Sequence, residues 1–265
     1  AARDALAEGG ISVPVREERA AIVLGVDEGI DGIRARHSIA LRDGGPLAVS
    51  PLSFPFTSHN AVTAQLSILL EIRGESLTLC GGALSGAAAL GAARRLVLDG
   101  LAPFVLAGGV TSVEKEFLEG LSAAGFADVG GERDGAGILL LGSPPGGASW
   151  AGGPQPSLTG YGEAFGKDAA GDAVSACLDD AEVHPRDVSS VWTATPVPDG
   201  VEGNGGLPGS LPAARSSPHA GMYAAAFPLT VAAALRAPGR SGGRTSLIVG
   251  WDCLSGAAAA LVRVS

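Results

Sequence analysis

The stretch Gly74–Gly86, GESLTLCGGALSG, followed by the Ala-rich run AALGAARRLVLDG, leaves few folds open to this chain. SLTL has the character of a short strand, Gly81-Gly82 that of a tight turn, and the small residues after it begin a helix. Strand, turn and helix in direct succession are the local unit of α/β layers. In an α/β enzyme such an elbow lifts one side chain off the sheet and aims helix N–H groups at it, which suits a nucleophile. Here the residue at the tip is Ala83, which has no chemistry.

The rest of the chain supplies strands and helices in alternation. Ala1–Gly9 has helical Ala/Leu spacing and a Gly-Gly stop. Ala20–Val26 is a buried strand, and Asp27–Leu41 an amphipathic helix whose Asp27, Glu28 and Asp31 form a solvated polar face. Ser50–Thr57, SPLSFPFT, is a loop in which Phe54 and Phe56 are buried anchors. Ser58 is a candidate N-cap for a helix over His59–Gly74, with Val62, Leu66, Leu69 and Leu70 on its apolar face. After the elbow come a strand at Pro103–Val110, a helix at Val113–Gly125 and a strand at Gly135–Gly142. The Pro/Gly-rich residues 146–157 separate an N-terminal half (1–145) from a C-terminal half (158–265). The second half has a helix at Asp168–Ala181, a strand at Ser189–Thr195, a loop at Pro196–Pro218 and an apolar helix at Ala220–Leu235. Two strands, TSLIVGW and AAAALVRV, close the chain.

Composition narrows the function classes. The net charge of −9 argues against nucleic acid or an anionic membrane as partner. Apolar residues make up 46% of the sequence, yet every apolar run breaks well short of the ~18 residues of a membrane span. Cys80, Cys177 and Cys253 are odd in number and lack metal spacing, which suits a reducing cytoplasm. His37, His59 and His184 lie far apart without ligand spacing, so no metal is expected. No glycine turn has a phosphate-cradling pattern, so no nucleotide cofactor is expected either. The single methionine is Met222, so the natural polypeptide is expected to start upstream of Ala1.

Several segments together carry a resemblance. Gly74-Glu75-Ser76, SLTL, Gly82-Ala83-Leu84-Ser85-Gly86, the following helix and Leu106-Ala107-Gly108-Gly109 resemble the β-ketoacyl synthase family. SPLSFPFTSHNAVTAQLSILLEIRG is similar to that family's Phe-Pro-x-Thr and Asn segment, and ERDGAGILLL to its Gly-Glu-Gly-Ala-Gly strand. The resemblance implies a thiolase-like fold: α/β, two similar βαβ halves in an αβαβα layered arrangement, here with shortened loops. It also locates the family's catalytic positions. The acyl-accepting cysteine falls on Ala83, the first histidine near Ala194, the lysine on Ala214, and the second histidine is retained as His219.

Condensation by that family needs a thiolate to hold the acyl chain and imidazoles to promote decarboxylation and stabilise the enolate. A methyl group can do neither, and His219 has nothing to act with. Arg215 is no substitute for a lysine, because guanidinium stays charged. The resemblance therefore implies a chain length factor of a type II polyketide synthase, a non-condensing partner of a catalytic ketosynthase. With it go an acyl carrier protein and its acyl chain as partners, a shared tunnel and a cytoplasmic site of action. The tunnel and interface positions it implies are Val26, Glu28, Asp31, Ala35, Phe54, Phe56, Thr57 and Asn60. Two other readings stay open: an acyltransferase or decarboxylase using Cys80, Ser85 or His219, and a structural homodimer or carrier-binding module. In the plainest reading Cys80 is a small buried residue on its strand, and Ser85 a small residue in the helix's first turn.

Overall fold

The computed structural model describes residues 1–27, 31–115, 119, 122–123, 134–142, 156–195, 207–219, 222–237, 243–252 and 256–264. The N-terminal half contributes α1 (Ala2–Glu8), β1 (Ala21–Val26), α2 (Asp31–Gly44), α3 (Ala61–Leu70), β2 (Ser76–Leu79), α4 (Ser85–Leu98), β3 (Phe104–Thr111) and β4 (Gly135–Gly142). The C-terminal half contributes β5 (Pro156–Phe165), α5 (Ala169–Asp180), β6 (Ser190–Thr193), β7 (Ala214–Ser216), α6 (Tyr223–Arg236), β8 (Arg244–Trp251) and β9 (Gly256–Val264).

Two mixed sheets result, ordered β2-β1-β3-β4 and β5-β9-β8-β6-β7. Their residues alternate between two faces, as the twofold period of a strand requires. On β1, Ala21 and Val23 enter one apolar cluster while Ile22 and Leu24 enter another; on β8, Ile248 and Leu247 divide likewise. The shared cluster lies between the sheets and is built on α4 and α6 through Leu90, Ala93, Phe227 and Val231. α1 and α3 cover the outer face of the first sheet, and α5 covers that of the second. The order is thus helix, sheet, helix, sheet, helix. Because both faces of each sheet are covered, the central strands read as continuous apolar runs.

Glycines let the middle layer close. A Cβ at Gly86 on α4 would lie 1.9 Å from the Ala224 carbonyl oxygen of α6, and one at Gly109 on β3 would lie 1.8 Å from the same atom. The two halves are also tied by Arg94, whose guanidinium donates to the Leu158 and Thr159 carbonyls and pairs with Asp180 at 3.0 Å.

Several expectations are corrected. β5 was not expected, because its Gly160 and Gly162 look like breakers. They are instead where α5 presses on the strand, each Cβ falling 2.3 Å from a helix carbonyl oxygen. The loop ahead of α6 contains β7, too short at three residues to show a period. α2 starts at Asp31, and Asp27 is buried past the end of β1 rather than on a solvated helix face. α3 starts at Ala61 with Asn60 in the cap position, and Ser58 Oγ bonds Asn60 Oδ1 at 2.6 Å instead of capping. α3 ends at Leu70, where Glu71 turns left-handed (φ 56°), and Leu69 faces outward. The helix read at Val113–Gly125, residues 146–155 of the separating stretch and the loop at 196–206 lie largely or wholly outside the described residues.

Candidate functional site

The elbow is formed as its sequence suggests. β2 is an edge strand; the chain leaves it at Cys80, turns through Gly81 and Gly82, and makes a single 3-10 turn over Gly82–Leu84 into α4. Gly82 has φ +68°, the left-handed conformation that favours glycine. Ser85 is buried, and its hydroxyl accepts the Gly81 N–H at 2.7 Å and donates to the Gly82 carbonyl at 2.8 Å. Both roles of that hydroxyl are spent holding the turn. Ala83, at the tip, is half-buried.

His219 is held by an adjoining frame. Its N–H donates to Ser217 Oγ at 3.2 Å, and the same oxygen accepts from Thr230 Oγ1 of α6 at 2.8 Å. Ser217 N–H bonds the Thr193 carbonyl at the end of β6, and Met222 N–H bonds the His219 carbonyl. Thr111 Oγ1 then donates to the Met222 carbonyl at 2.7 Å, which ties the start of α6 to β3. The turn carrying Ala83 packs on α6 as well.

Of the other family positions, Ala194 is fully buried, with its N–H on the Val249 carbonyl and its side chain in the cluster of Leu84 and Phe227. Ala83's turn, Ala194 and the His219 loop therefore gather around the first turns of α6. Ala214 does not join them. It pairs with Val191 and packs on the outer face of the second sheet, whereas Arg215 pairs with Trp192, which packs on the inner face. Strand alternation thus puts Arg215, not Ala214, on the site's side of the sheet.

The expected buried Cys80 is corrected: it is exposed, one residue past the end of β2, which is an edge strand among the described residues. Cys177 is fully buried on α5, and burial, then the Asp180 carboxylate, pushes its thiol up to about 12. Burial likewise raises the Tyr161 hydroxyl, which donates to Glu163. The remaining histidines make local contacts. His37 packs on the Phe54 ring (centroids 5.6 Å apart), His59 Nδ1 meets Arg34 at 3.3 Å, and His184 Nδ1 accepts from Arg186 N–H. Among the described residues no group of three His, Cys, Asp or Glu could hold a metal, and no helix is long and apolar enough to cross a membrane.

The positions assigned to a tunnel and interface fall at the end of β1, on α2, and on and just after the 54–57 turn, which packs against α2. Val26 is buried at the end of β1, and Ala35 is half-buried on α2. Glu28 and the Asp31 side chain lie outside the described residues. Phe54 and Phe56 are 63% and 39% exposed, so they are not buried anchors, although Phe54 packs one face on His37 of α2. Thr57 caps its own turn through the Phe54 carbonyl, and its carbonyl accepts from Arg34 of α2 at 2.9 Å. Asn60 is exposed. Further apolar residues in the same stretch of sequence are exposed: Leu47 is 100% exposed, Leu52 84%, Ile68 66% and Leu69 62%. Leu47 and Leu52 lie in irregular segments with no period to place them, and Ile68 and Leu69 lie on the outward face of α3.

Residues 1–133 match the family model described as Beta-ketoacyl synthase, N-terminal domain. The chain belongs to the β-ketoacyl synthase family. It is 33% identical over 125 residues to a 3-oxoacyl-[acyl-carrier-protein] synthase 2 of Vibrio harveyi, covering 46% of this chain and 29% of that protein. The chain therefore spans under a third of the length of this curated relative. Among solved structures it resembles the ishigamide ketosynthase/chain length factor, with TM-score 0.73 and 20% identity over 96% of this chain and 74% of that one. It also resembles a chain of a type II PKS acyl-carrier protein in complex with its ketosynthase bound to the hexaketide. There the TM-score is 0.81 and the identity 15%, over 100% of this chain and 83% of that one. The fold is the thiolase-like fold of ketosynthases.

Proposed function

We propose that this protein is a non-condensing ketosynthase-like subunit, a chain length factor that pairs with a catalytic ketosynthase and shapes the acyl tunnel between them. One observation carries the reading: the elbow keeps its strand, its left-handed glycine and its Ser85-braced turn, yet presents only the methyl of Ala83. A fold retained to this detail without a nucleophile serves something other than acyl transfer from that position. The exposure of Leu47, Leu52, Phe54, Ile68 and Leu69, all within one stretch of sequence, supports a partner that covers them. Chain length would follow from side-chain volume at the positions lining the tunnel, with Val26, Ala35 and the Phe54–Thr57 turn as candidates. The reading includes an acyl carrier protein delivering the chain, and a cytoplasmic setting in which thiols stay reduced.

Incubation with an acyl thioester is expected to leave the intact mass unchanged, and co-expression with the cognate ketosynthase to give a stable heterodimer. Acylation of the isolated protein, with no partner retained, would overturn the proposal. A second reading rests on the exposed Cys80, three residues from the tip, as the acceptor in an acyl transfer. An adduct that disappears in Cys80→Ala would favour it.

A further inference from the structure

α2 leans on little of the molecule. Its principal contacts are the two turns that follow it, 46–48 and 54–57, and the second of these packs on α3. Most of its residues face water, with Ile39 49% and Leu41 50% exposed. Where so few contacts hold a helix, each one decides where it sits.

One such contact is made in its first turn. Gly32 is buried, and a Cβ built on it would land on Oε2 of Glu114, with Arg36 Nη1 3.3 Å from the same point. Gly32 lies inside the helix and outside the left-handed region, so its backbone conformation does not call for glycine; the carboxylate laid against it does. That carboxylate meets α2 where the first N–H groups lack helical partners and the helix dipole is positive. The guanidinium one turn on adds a second positive group.

Glu114 itself sits on a braced stretch. Val113 N–H donates to Asp134 Oδ1 at 2.6 Å, and Asp134 leads into β4. Thr111 is buried at the end of β3, where its hydroxyl donates to the Met222 carbonyl at 2.7 Å and accepts the Ala225 N–H at 3.3 Å. Met222 N–H in turn bonds the His219 carbonyl. Fixed contacts therefore run from the His219 loop through the start of α6 and the end of β3 to Glu114, and from there to α2.

We propose that Glu114 is the positioning residue of α2, fixing that helix, with Ala35 and the Phe54–Thr57 turn, relative to the elbow. Its consequence for chain length rests on the proposed function, in which α2 is part of the tunnel wall. A wall held in one place gives one product length, and a wall free to shift gives several.

Two variants remove the seat in different ways. Glu114→Gln removes the charge and keeps the shape, whereas Gly32→Ala keeps the carboxylate and displaces it. By hydrogen–deuterium exchange, the Ala35–Arg42 amides are expected to exchange about fivefold faster in each, with those of β3 and α4 unchanged. The double variant should be no faster, because both changes remove one contact. Helix propensity alone gives the opposite result for Gly32→Ala, since alanine is the better helix former. Slower or unchanged exchange of α2 in Gly32→Ala, or unchanged exchange in Glu114→Gln, overturns the proposal. Paired with the cognate ketosynthase, both variants are expected to broaden the set of product lengths without loss of the complex. Faster α2 exchange with a single, unaltered product length keeps the seat and overturns the chain-length reading instead.

Discussion

Gly82 and Ser85 show how single residues fix the shape of the turn that carries Ala83. Nothing lies within 4 Å of a Cβ built on Gly82, so the demand for glycine there comes from φ +68° and not from space. Ser85 then bonds both sides of the turn, which accounts for a hydroxyl near the tip without making it a nucleophile. The buried thiol of Cys177 has a measurable consequence of another kind. Folding raises it from 9.0 to about 12, so the folded protein keeps this proton where the unfolded chain releases it. Its contribution to stability is complete below pH 9 and is lost as pH rises toward 12, with a limiting slope of about 1.4 kcal/mol per pH unit. Tyr161, also raised by burial, adds to the same alkaline loss above pH 10. Denaturant titrations between pH 8 and 10.5 are expected to show that loss, with a shallower slope in Cys177→Ala. An unchanged slope would mean that the thiol is not shielded as its burial indicates.

At the scale of elements, the contact of α4 and α6 with β3 is the joint on which the site depends. The Ala224 carbonyl oxygen sits where a side chain on Gly86 or Gly109 would go, and the atoms in the way are backbone. Gly109→Ala is therefore expected to cost about 3 kcal/mol by overpacking and to lower Tm, whereas Gly100→Ala, with open space but φ +70°, costs about 1 kcal/mol. Calorimetry of the two variants separates a steric from a conformational demand; equal losses would contradict the close helix contact. The same glycines explain what could be read in advance. β1, β3, β4 and β8 were legible because both faces are covered and their residues are apolar throughout. β5 was not, since a glycine that admits a helix and one that breaks a strand look alike in sequence. The elbow and Ala83 were legible from spacing. The inward turn of Arg215 in place of Ala214 was not, because it depends on a three-residue ladder with β6.

On the scale of the whole molecule, apolar surface is distributed unevenly, and that asymmetry is what sequence could not reveal. The sequence marks Phe54 and Phe56 both as anchors and, by resemblance, as interface positions, and carries no sign that Leu47, Leu52 and Ile68 face outward. In the fold, α3 gives Leu70 and Val62 to the cluster beneath it and leaves Ile68 and Leu69 outside. The turn at Phe54–Thr57 is fastened to α2 by Arg34 and by the His37–Phe54 contact, so its exposed rings are presented on a braced support. Water-facing leucines and phenylalanines contribute nothing to the protomer, while each one buried at an interface would gain roughly 1.5–3 kcal/mol. A protein with net charge −9 stays dispersed by repulsion, yet a patch of this kind still drives association. The double variant Leu52→Glu, Ile68→Glu is therefore expected to leave Tm within about 1 °C, because neither side chain packs in the core. On the proposed pairing it should weaken co-purification of the cognate ketosynthase at least tenfold, since two charges would be trapped in an apolar contact. Retained pairing by the double variant would place the partner on another face. Loss of Tm would instead show that these side chains support the fold.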